Sequence, residues 1–444
     1  MLTVLLFIVG VLIMVVGLAV SIALHEVGHL VPAKRFGVKV GQYMIGFGPT
    51  LFSRTRGETQ YGVKALPLGG YISMSGMFPP AKNGEAGRAS STGFFQTLVQ
   101  DARTASAETI DEGDEERTFY RLPVYKRVII MLGGPTMNLL IAVVLFGVVL
   151  CGFGVAREST TVGLVNECVL PAGSTATSCP ADATPAPAFA AGLRNGDRIV
   201  SIDGETMSDG DQIAAVLRDS ADTTLDVVVD RDGSEQTLEV TPTLSERYVV
   251  DESTGQYEEA ADGTPVTREV GFVGIGFATE TARQPVTAVL PAVWNNVTHV
   301  VDLIIHLPQR LVGVAEAAFG GGERDANGPV SVVGVGRMAG EIVSLDSVPI
   351  VDRAAYVVNL LASLNVALFV FNLIPLMPLD GGHIAGALVE AVRRGFAKLF
   401  RRPDPGPVDT AKVIPLTFAV VILLGGMSVL LIYADIVNPI DLFG

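Results

Sequence analysis

The chain has 444 residues, of which 49% are hydrophobic and 17% charged, and its mean hydropathy is +0.45. It is too apolar for a water-soluble protein, and its charged stretches exclude a wholly membrane-embedded one. The formal net charge is −15, which argues against nucleic acid as a partner because the phosphate backbone attracts basic surfaces. We therefore expect a lipid bilayer as one partner and water around the rest of the chain.

Four segments are apolar enough to cross a hydrocarbon core about 30 Å thick, which takes about 20 helical residues. They are residues 2–24, 128–150, 354–376 and 413–433. The first could be a cleavable signal peptide, but no basic residue precedes its apolar run and no small-residue cleavage site follows it. We interpret it as a retained span.

Lysine and arginine are distributed unevenly among the links between these spans. The first link carries 13 of them and the link between the third and fourth spans carries six. Residues 152–352 instead hold 11 arginines, no lysine and 30 acidic residues, a formal charge of −19. Because basic links stay in the cytoplasm, we expect the acidic segment and both termini outside the plasma membrane.

Three cysteines are few for a chain of this length. Cys151 ends the second span, whereas Cys168 and Cys179 lie in the acidic external segment. An oxidising compartment would let those two form a disulfide. Two free thiols in a loop are the alternative.

The link after the first span divides into two parts. Residues 38–77 alternate apolar and polar side chains around glycines, which predicts short strands and hairpins at the cytoplasmic leaflet. Residues 78–117 are rich in Gly, Ser, Asp and Glu and contain the run DEGDEE, so we predict a solvated, partly disordered loop.

The acidic segment contains one compact pattern. Strands at 198–202, 224–230 and 235–241 are predicted around an amphipathic helix at 211–219, with Gly-Asp and Asp-Gly turns between them. Farther on, residues 284–311 predict an amphipathic helix that lies on the outer leaflet.

The sequence HEVGH places His25 and His29 four residues apart, on one face of a helix, where both imidazoles can bind one zinc ion. Glu26 lies between them and is positioned as general base for the attacking water. Three such groups at the end of an apolar span are costly unless they have partners. The motif therefore indicates a metal centre, rather than polar residues that are merely satisfied at a membrane boundary.

A catalytic zinc site needs a third protein ligand at the same depth. Asp380 directly follows the third span, and prolines and glycines on both sides of it would break the helix so that the carboxylate turns back toward the metal. His383 is the other candidate ligand nearby. We expect it to contact a zinc ligand rather than the zinc ion itself, or to cap a helix.

Five motifs occur in an order that is typical of one family. They are HEVGH in the first span, GGYISM in the cytoplasmic strands, GGPTMN in the second span, GLRNGDRIVSIDG outside and NLIPLMPLDGGH after the third span. Together they resemble the site-2 protease family (M50), and specifically its bacterial regulator-of-sigma-E branch. GLRNGDRIVSIDG resembles a PDZ domain, and because only one copy is visible the chain is similar to the actinobacterial single-PDZ type.

The resemblance implies a function for these residues. His25, His29 and Asp380 would bind one Zn²⁺ per chain and Glu26 would be the catalytic acid and base. Asn372, and more loosely Asn365, would engage the substrate, although an amide within an apolar span could instead tie two helices together.

The resemblance also implies the substrates and the location. The substrates would be single-span membrane proteins such as anti-sigma factors, cut in regulated intramembrane proteolysis in a bacterial plasma membrane, with the active site toward the cytoplasmic side. The strands around Gly69, Gly70 and Tyr71 offer backbone groups for pairing with an unwound substrate, although they could also form a buried plug without substrate contact.

The predicted fold is a polytopic α-helical membrane protein with four transmembrane helices, a small membrane-associated β-sheet and an extracytoplasmic α/β PDZ domain. Its segments are a first span (1–35), a cytoplasmic β region and loop (36–127), a second span (128–151), a linker and PDZ domain (152–283), an external helical region (284–352), a third span with LDGG (353–382), a cytoplasmic loop (383–412), a fourth span (413–436) and a tail (437–444). A transporter or scaffold with a regulatory metal is the rival hypothesis. A regulatory metal site would not require a general base such as Glu26 beside the metal. The four predicted spans also show no internal repeat of the kind that many transporters carry.

Overall fold

A computed structural model describes residues 1–79, 94–174, 178–180, 183–249, 258, 260, 264–322, 324–325 and 328–440. The chain forms two compact units. The membrane unit comprises Met1–Phe153 and Pro285–Gly444, and the inserted unit comprises Gly154–Gln284.

The membrane unit is built mainly from helices. Its helices and strands are α1 (Leu2–Arg35), β1 (Val40–Arg56), β2 (Thr59–Met74), α2 (Phe94–Ala107), α3 (Val124–Gly147), α6 (Val289–Ile305), α7 (Leu307–Gly320), α8 (Val332–Ser344), α9 (Ile350–Asn372), α10 (Asp380–Leu399) and α11 (Ile414–Val437). The numbers α4 and α5 belong to helices of the inserted unit.

Five helical segments of the described chain are long and apolar enough to cross a membrane. They are Leu2–Arg35, Val124–Phe153, Val286–Ile305, Ile350–Asn372 and Thr410–Val437. Most of their side chains are exposed on the protein surface, which for apolar residues indicates contact with lipid. The protein is therefore a multi-pass membrane protein. Four of the five coincide with the predicted spans, and Val286–Ile305 is the segment predicted to lie on the outer leaflet.

The additional segment belongs to a pair of helices whose two ends lie on the same side of the bundle. Val289, near the start of α6, packs against Phe146 at the end of α3. The side-chain amide of Asn438, just after α11, donates to the carbonyl of Gly322, just after α7. The ends of α3 and α11 both lie on the side of the bundle where α1 begins. The start of α6 and the end of α7 therefore lie on that same side, and the pair does not cross the bundle as a whole.

Two glycines bring α1 and α3 into direct backbone contact. A Cβ on Gly28 would lie 2.2 Å from the carbonyl oxygen of Gly133, and a Cβ on Gly133 would lie 2.0 Å from that of Gly28. No other residue fits at either position, because small residues are what allow helix backbones to approach in a membrane. This contact fixes α3 beside the second half of α1.

The predicted cytoplasmic strands form one bent hairpin. Residues 42–45 of β1 pair with 60–63 of β2 on one side and with 70–73 on the other, while 50–56 pair with 59–64. The sheet therefore has two edges, one at residues 70–74 and one at residues 50–56. The phenol of Tyr43 donates to the carbonyl of Ala23 and holds one face of the sheet against α1.

The predicted loop at 78–117 is more ordered than expected where it is described. Helix α2 occupies Phe94–Ala107, and the acidic run is attached to the sheet because Lys39 forms ion pairs with Asp111 and Asp114. The helix at residues 94–107 was not predicted, whereas the acidic run is mostly exposed to solvent, as predicted, and is held in place by its ion pairs. The composition of the loop does not predict these ion pairs, because their cation, Lys39, lies 72 residues before Asp111 in the sequence.

The inserted unit is a small α/β body. Its elements are β3 (Val155–Val165), α4 (Pro187–Ala190), β4 (Arg198–Ile202), β5 (Glu205–Thr206), α5 (Gly210–Asp219), β6 (Leu225–Arg231), β7 (Ser234–Val240), β8 (Thr243–Tyr248), β9 (Thr267–Phe272) and β10 (Ile275–Ala282). The main sheet has the order β10-β3-β4-β6-β7, and β8 pairs with β9 alone. The three predicted strands and the helix at 211–219 are present within one residue of their predicted bounds.

Two features stabilise loops of the inserted unit. The carboxylate of Asp197 is nearly fully buried and accepts two hydrogen bonds from the guanidinium of Arg231, which holds the pKa of Asp197 below its ordinary value. Cys168 and Cys179 form a disulfide, so the alternative of two free thiols is wrong. A disulfide is typical of an oxidising compartment.

Candidate metal centre

The HEVGH residues lie near the end of α1, on the side that faces α3. Glu26 and His29 are buried, with 8% and 4% of their surface exposed. His25 and His29 share one helix face, as their spacing requires, and their ring centroids are 4.8 Å apart. The prediction of a helical HEVGH with convergent imidazoles is confirmed.

Asp380 reaches the same place from the other end of the sequence. Helix α9 ends at Asn372, a short turn follows, and α10 begins at Asp380 itself. The turn folds closely over the start of α10, where a Cβ on Gly381 would lie 2.3 Å from the carbonyl oxygen of Ile374 and one on Gly382 would lie 2.6 Å from the nitrogen of Met377. The two glycines are therefore required by a close backbone approach.

Three ligand atoms converge at this point. The Nε2 atoms of His25 and His29 each lie 3.3 Å from Oδ2 of Asp380 and 3.1 Å from each other. A tetrahedral zinc ion with bonds of about 2.0–2.1 Å separates its ligand atoms by about 3.3 Å. The three atoms thus have the spacing of one face of a zinc tetrahedron.

The hydrogen bonds behind the imidazoles orient both Nε2 atoms toward Asp380. Nδ1 of His25 donates to Oδ1 of Asn138 at 3.2 Å, and Nδ1 of His29 donates to the carbonyl of Ile130 at 2.7 Å. In neutral imidazoles both Nε2 atoms are then acceptors, and Oδ2 of Asp380 is buried without a hydrogen-bond donor. Three converging acceptors repel one another unless a cation lies between them, so the residues fit a zinc ion.

Helix α3 supplies the remaining wall of the centre. A Cβ on Gly134 would lie 2.2 Å from Nε2 of His29 and 2.6 Å from Nε2 of His25. Gly134 therefore leaves open the space that the ligand atoms face, and Asn138, which is 1% exposed, holds His25. Both residues belong to the motif GGPTMN, and the sequence alone predicts no role for either of them. Their spacing of four residues on one helix face was the available signal.

A cleft of about 300 Å³ opens onto the three ligands. Glu26 lines it, as do Gly70 and Tyr71 of β2 on one side and Asn372 on the other. Gly69 is the neighbouring residue of β2, with a φ of +118° that glycine adopts most readily. The amide nitrogen of Asn372 donates to the carbonyl of Leu368 at 2.9 Å.

Two residues have roles that differ from those predicted. Asn365 is fully buried, and its amide nitrogen donates to Ser21 of α1 and to the carbonyl of Leu361. It therefore joins α9 to α1 and lies outside the cleft, so the predicted substrate contact was wrong. His383 lines the cleft with its ring near Phe78 and Phe119, but it caps no helix because Leu379 is the N-cap of α10.

The fold and the centre together define a class of protein, a multi-pass membrane protein with an HExxH-type metal centre. Comparison with known proteins identifies the family within this class. The profile of Peptidase family M50 matches residues 13–401. The chain belongs to this family, as the motifs had indicated.

Curated relatives cover almost the whole chain. Zinc metalloprotease Rip1 of Mycobacterium tuberculosis is 33% identical over 446 residues, which cover 98% of this chain and 99% of that protein. Rip1 of Mycolicibacterium smegmatis is 32% identical over 459 residues with the same coverage. Metalloprotease MmpA of Caulobacter vibrioides is 29% identical over 406 residues, 87% of this chain and 88% of that protein. The chain is a zinc metalloprotease with Zn²⁺ as its cofactor, and the transporter hypothesis was wrong.

Replacing Gly134 with alanine should displace the metal. The added methyl group would occupy the space in front of both Nε2 atoms, so we expect purified Gly134→Ala to contain far less than the about one zinc per chain of the wild type. Elemental analysis of protein in detergent measures this. Gly147→Ala is the matched control on the same helix, since a Cβ there meets nothing within 4 Å. Equal zinc in both variants would contradict the placement of α3.

Replacing Asp380 with asparagine should weaken zinc binding and proteolysis together, because a neutral amide is a poor zinc ligand. We expect the loss of affinity to exceed the roughly 10–100-fold that loss of an outer-shell partner costs. Zinc affinity measured by competition with a chelator tests this, with the exposed Asp346→Asn as control. Full zinc occupancy at wild-type affinity would exclude Asp380 as a ligand.

Proposed function

We propose that this chain is an intramembrane protease of the site-2 type, in which His25, His29 and Asp380 hold the zinc ion and Glu26 is the catalytic acid and base. The observation that supports it best is the convergence of three ligand atoms from α1 and α10. Both helices belong to the membrane unit.

The depth of the centre supports cleavage inside the membrane. His25 lies about 35 Å along α1 from its start, near the far boundary of a hydrocarbon core about 30 Å thick. Glu26 and Asn372 place polar groups at this depth, where such groups are costly without a function. The active site thus lies toward one surface of the bilayer, which the basic links assign to the cytoplasm.

Each residue of the centre has a separate role in peptide hydrolysis. Held by His25, His29 and Asp380, a zinc ion would supply the Lewis acidity that activates a water molecule and polarises the scissile carbonyl. The carboxylate of Glu26 lines the same cleft, accepts a proton from the attacking water and donates it to the leaving amine. Asn138 and the carbonyl of Ile130 keep the two imidazoles oriented while this occurs.

The substrate in this proposal is the transmembrane segment of a single-span protein, such as an anti-sigma factor. A helical peptide bond is shielded by its own turn, so the segment must unwind before attack. Residues 70–74 form a free sheet edge beside Glu26, where a Cβ on Gly70 would lie 3.0 Å from Cγ of the glutamate. An extended substrate strand can pair with this edge while Asn372 contacts it from the opposite wall.

The inserted unit acts outside the membrane in this proposal. It has the strand and helix pattern of a PDZ domain, carries a disulfide and holds eight arginines against 23 acidic residues. These properties suit an extracytoplasmic domain that excludes untrimmed substrates. With α6 and α7 returning to one face, the membrane unit has four spans and both termini lie outside a bacterial plasma membrane.

Glu26→Gln should keep the zinc and abolish cleavage, because the ligands remain while the proton acceptor is lost. Removal of a general base typically costs about 10²–10⁴ in rate. Cleavage of a single-span reporter in proteoliposomes, alongside zinc analysis, measures both quantities. Glu108→Gln is the control, since its side chain is exposed on the same side of the membrane unit. Proteolysis at the wild-type rate would refute the role of Glu26.

Cysteine labelling should place the inserted unit outside and the α10 end inside, as the lysine and arginine bias requires. In a Cys151→Ser background, an impermeant maleimide added to intact cells should label Ser208→Cys and should label Arg402→Cys only after lysis. Both positions are exposed. Labelling of Arg402→Cys in intact cells would reverse the topology.

A further inference from the structure

A second cleft, of about 600 Å³, lies on the β1–β2 sheet and shares no lining residue with the catalytic cleft. It is bounded by the sheet edge at residues 50–56, and none of the zinc ligands lines it. Two rows of paired residues form its floor. The first row is Ile45, Val63 and Phe52, and the second is Tyr43, Tyr61 and Arg54.

One end of this cleft is cationic. Arg54 and Arg56 project from the same face of the edge strand, because alternate residues of a strand share a face. Lys34, in the last turn of α1, lies over the ring of Tyr61, and its ammonium donates to the phenol at 3.0 Å. None of these three cations forms an ion pair with an acidic residue in the part of the chain that the structure describes.

The other end is apolar and open. Phe52 is 67% exposed and Val63 is 42% exposed. Exposed apolar side chains in a patch indicate an interaction surface. Lys34 ends an apolar span, at the level where phospholipid headgroups are expected, and Arg54 is paired with Tyr61, whose phenol Lys34 contacts.

We propose that this cleft binds an anionic phospholipid of the cytoplasmic leaflet. Its phosphate would contact Lys34, Arg54 and Arg56, and an acyl chain would lie along Phe52, Val63 and Ile45. Unpaired cations at the membrane surface attract anionic headgroups, and the guanidinium fork matches phosphate oxygens. A free phosphate ion would use the cationic end only, whereas the adjoining apolar row suits a lipid.

A single tryptophan placed in the cleft can report the bound lipid. The chain has one tryptophan, Trp294, so Trp294→Phe combined with Phe52→Trp leaves a fluorophore at the apolar row. In proteoliposomes of phosphatidylcholine, we expect brominated phosphatidylglycerol to quench it at a mole fraction about 30-fold lower than brominated phosphatidylcholine, the preference that Arg54 and Arg56 provide together. Val63→Trp is the alternative reporter if Phe52→Trp does not fold.

Charge variants decide between this site and general attraction to the bilayer. Arg54→Gln with Arg56→Gln should abolish the preference for phosphatidylglycerol while zinc content stays at the wild-type level. Arg35→Gln with Arg121→Gln removes the same charge from exposed cytoplasmic positions outside the cleft and should leave the preference unchanged. Equal loss in both pairs, no preference in the wild-type background, or displacement of the lipid by millimolar inorganic phosphate would each overturn the proposal.

Discussion

The architecture of the membrane unit depends on bringing three metal-ligand atoms, on largely buried side chains, within 3.3 Å of one another. Such a group is unfavourable without a cation, because each acceptor has lost its solvation. The protein therefore needs a rigid frame that forms before or with metal binding. That frame is the contact between Gly28 and Gly133, which places α3 so that Asn138 and Ile130 can fix the two imidazoles.

The same constraint explains why the third span is interrupted. A continuous α9 would place residue 380 about 12 Å beyond Asn372 along the helix axis, away from α1. The turn after Asn372 lets the chain reverse, and Gly381 and Gly382 allow the turn to lie against α10. Asp380 then becomes the first residue of α10, where the helix dipole favours a carboxylate.

Much of the centre could be predicted from the sequence because local rules determine it. The spacing in HEVGH fixes two ligands on one helix face, and prolines and glycines around Asp380 mark a break at membrane depth. Asn365 was misplaced because an amide in an apolar helix satisfies a substrate or a neighbouring helix equally well in sequence. Gly134 and Asn138 acquire their roles only when α3 packs against α1, and the return of α7 beside α11 is likewise a tertiary property.

The bent hairpin relates the two clefts of the membrane unit through one strand. Residues 42–45 of β1 lie in the middle of the sheet, paired on one side with the edge that borders Glu26 and on the other with 60–63, the neighbour of the cationic edge. Ile45 is opposite both Gly70 and Val63. The strand 42–45 is therefore paired directly with the catalytic edge and is separated from the cationic edge by the single strand 59–64.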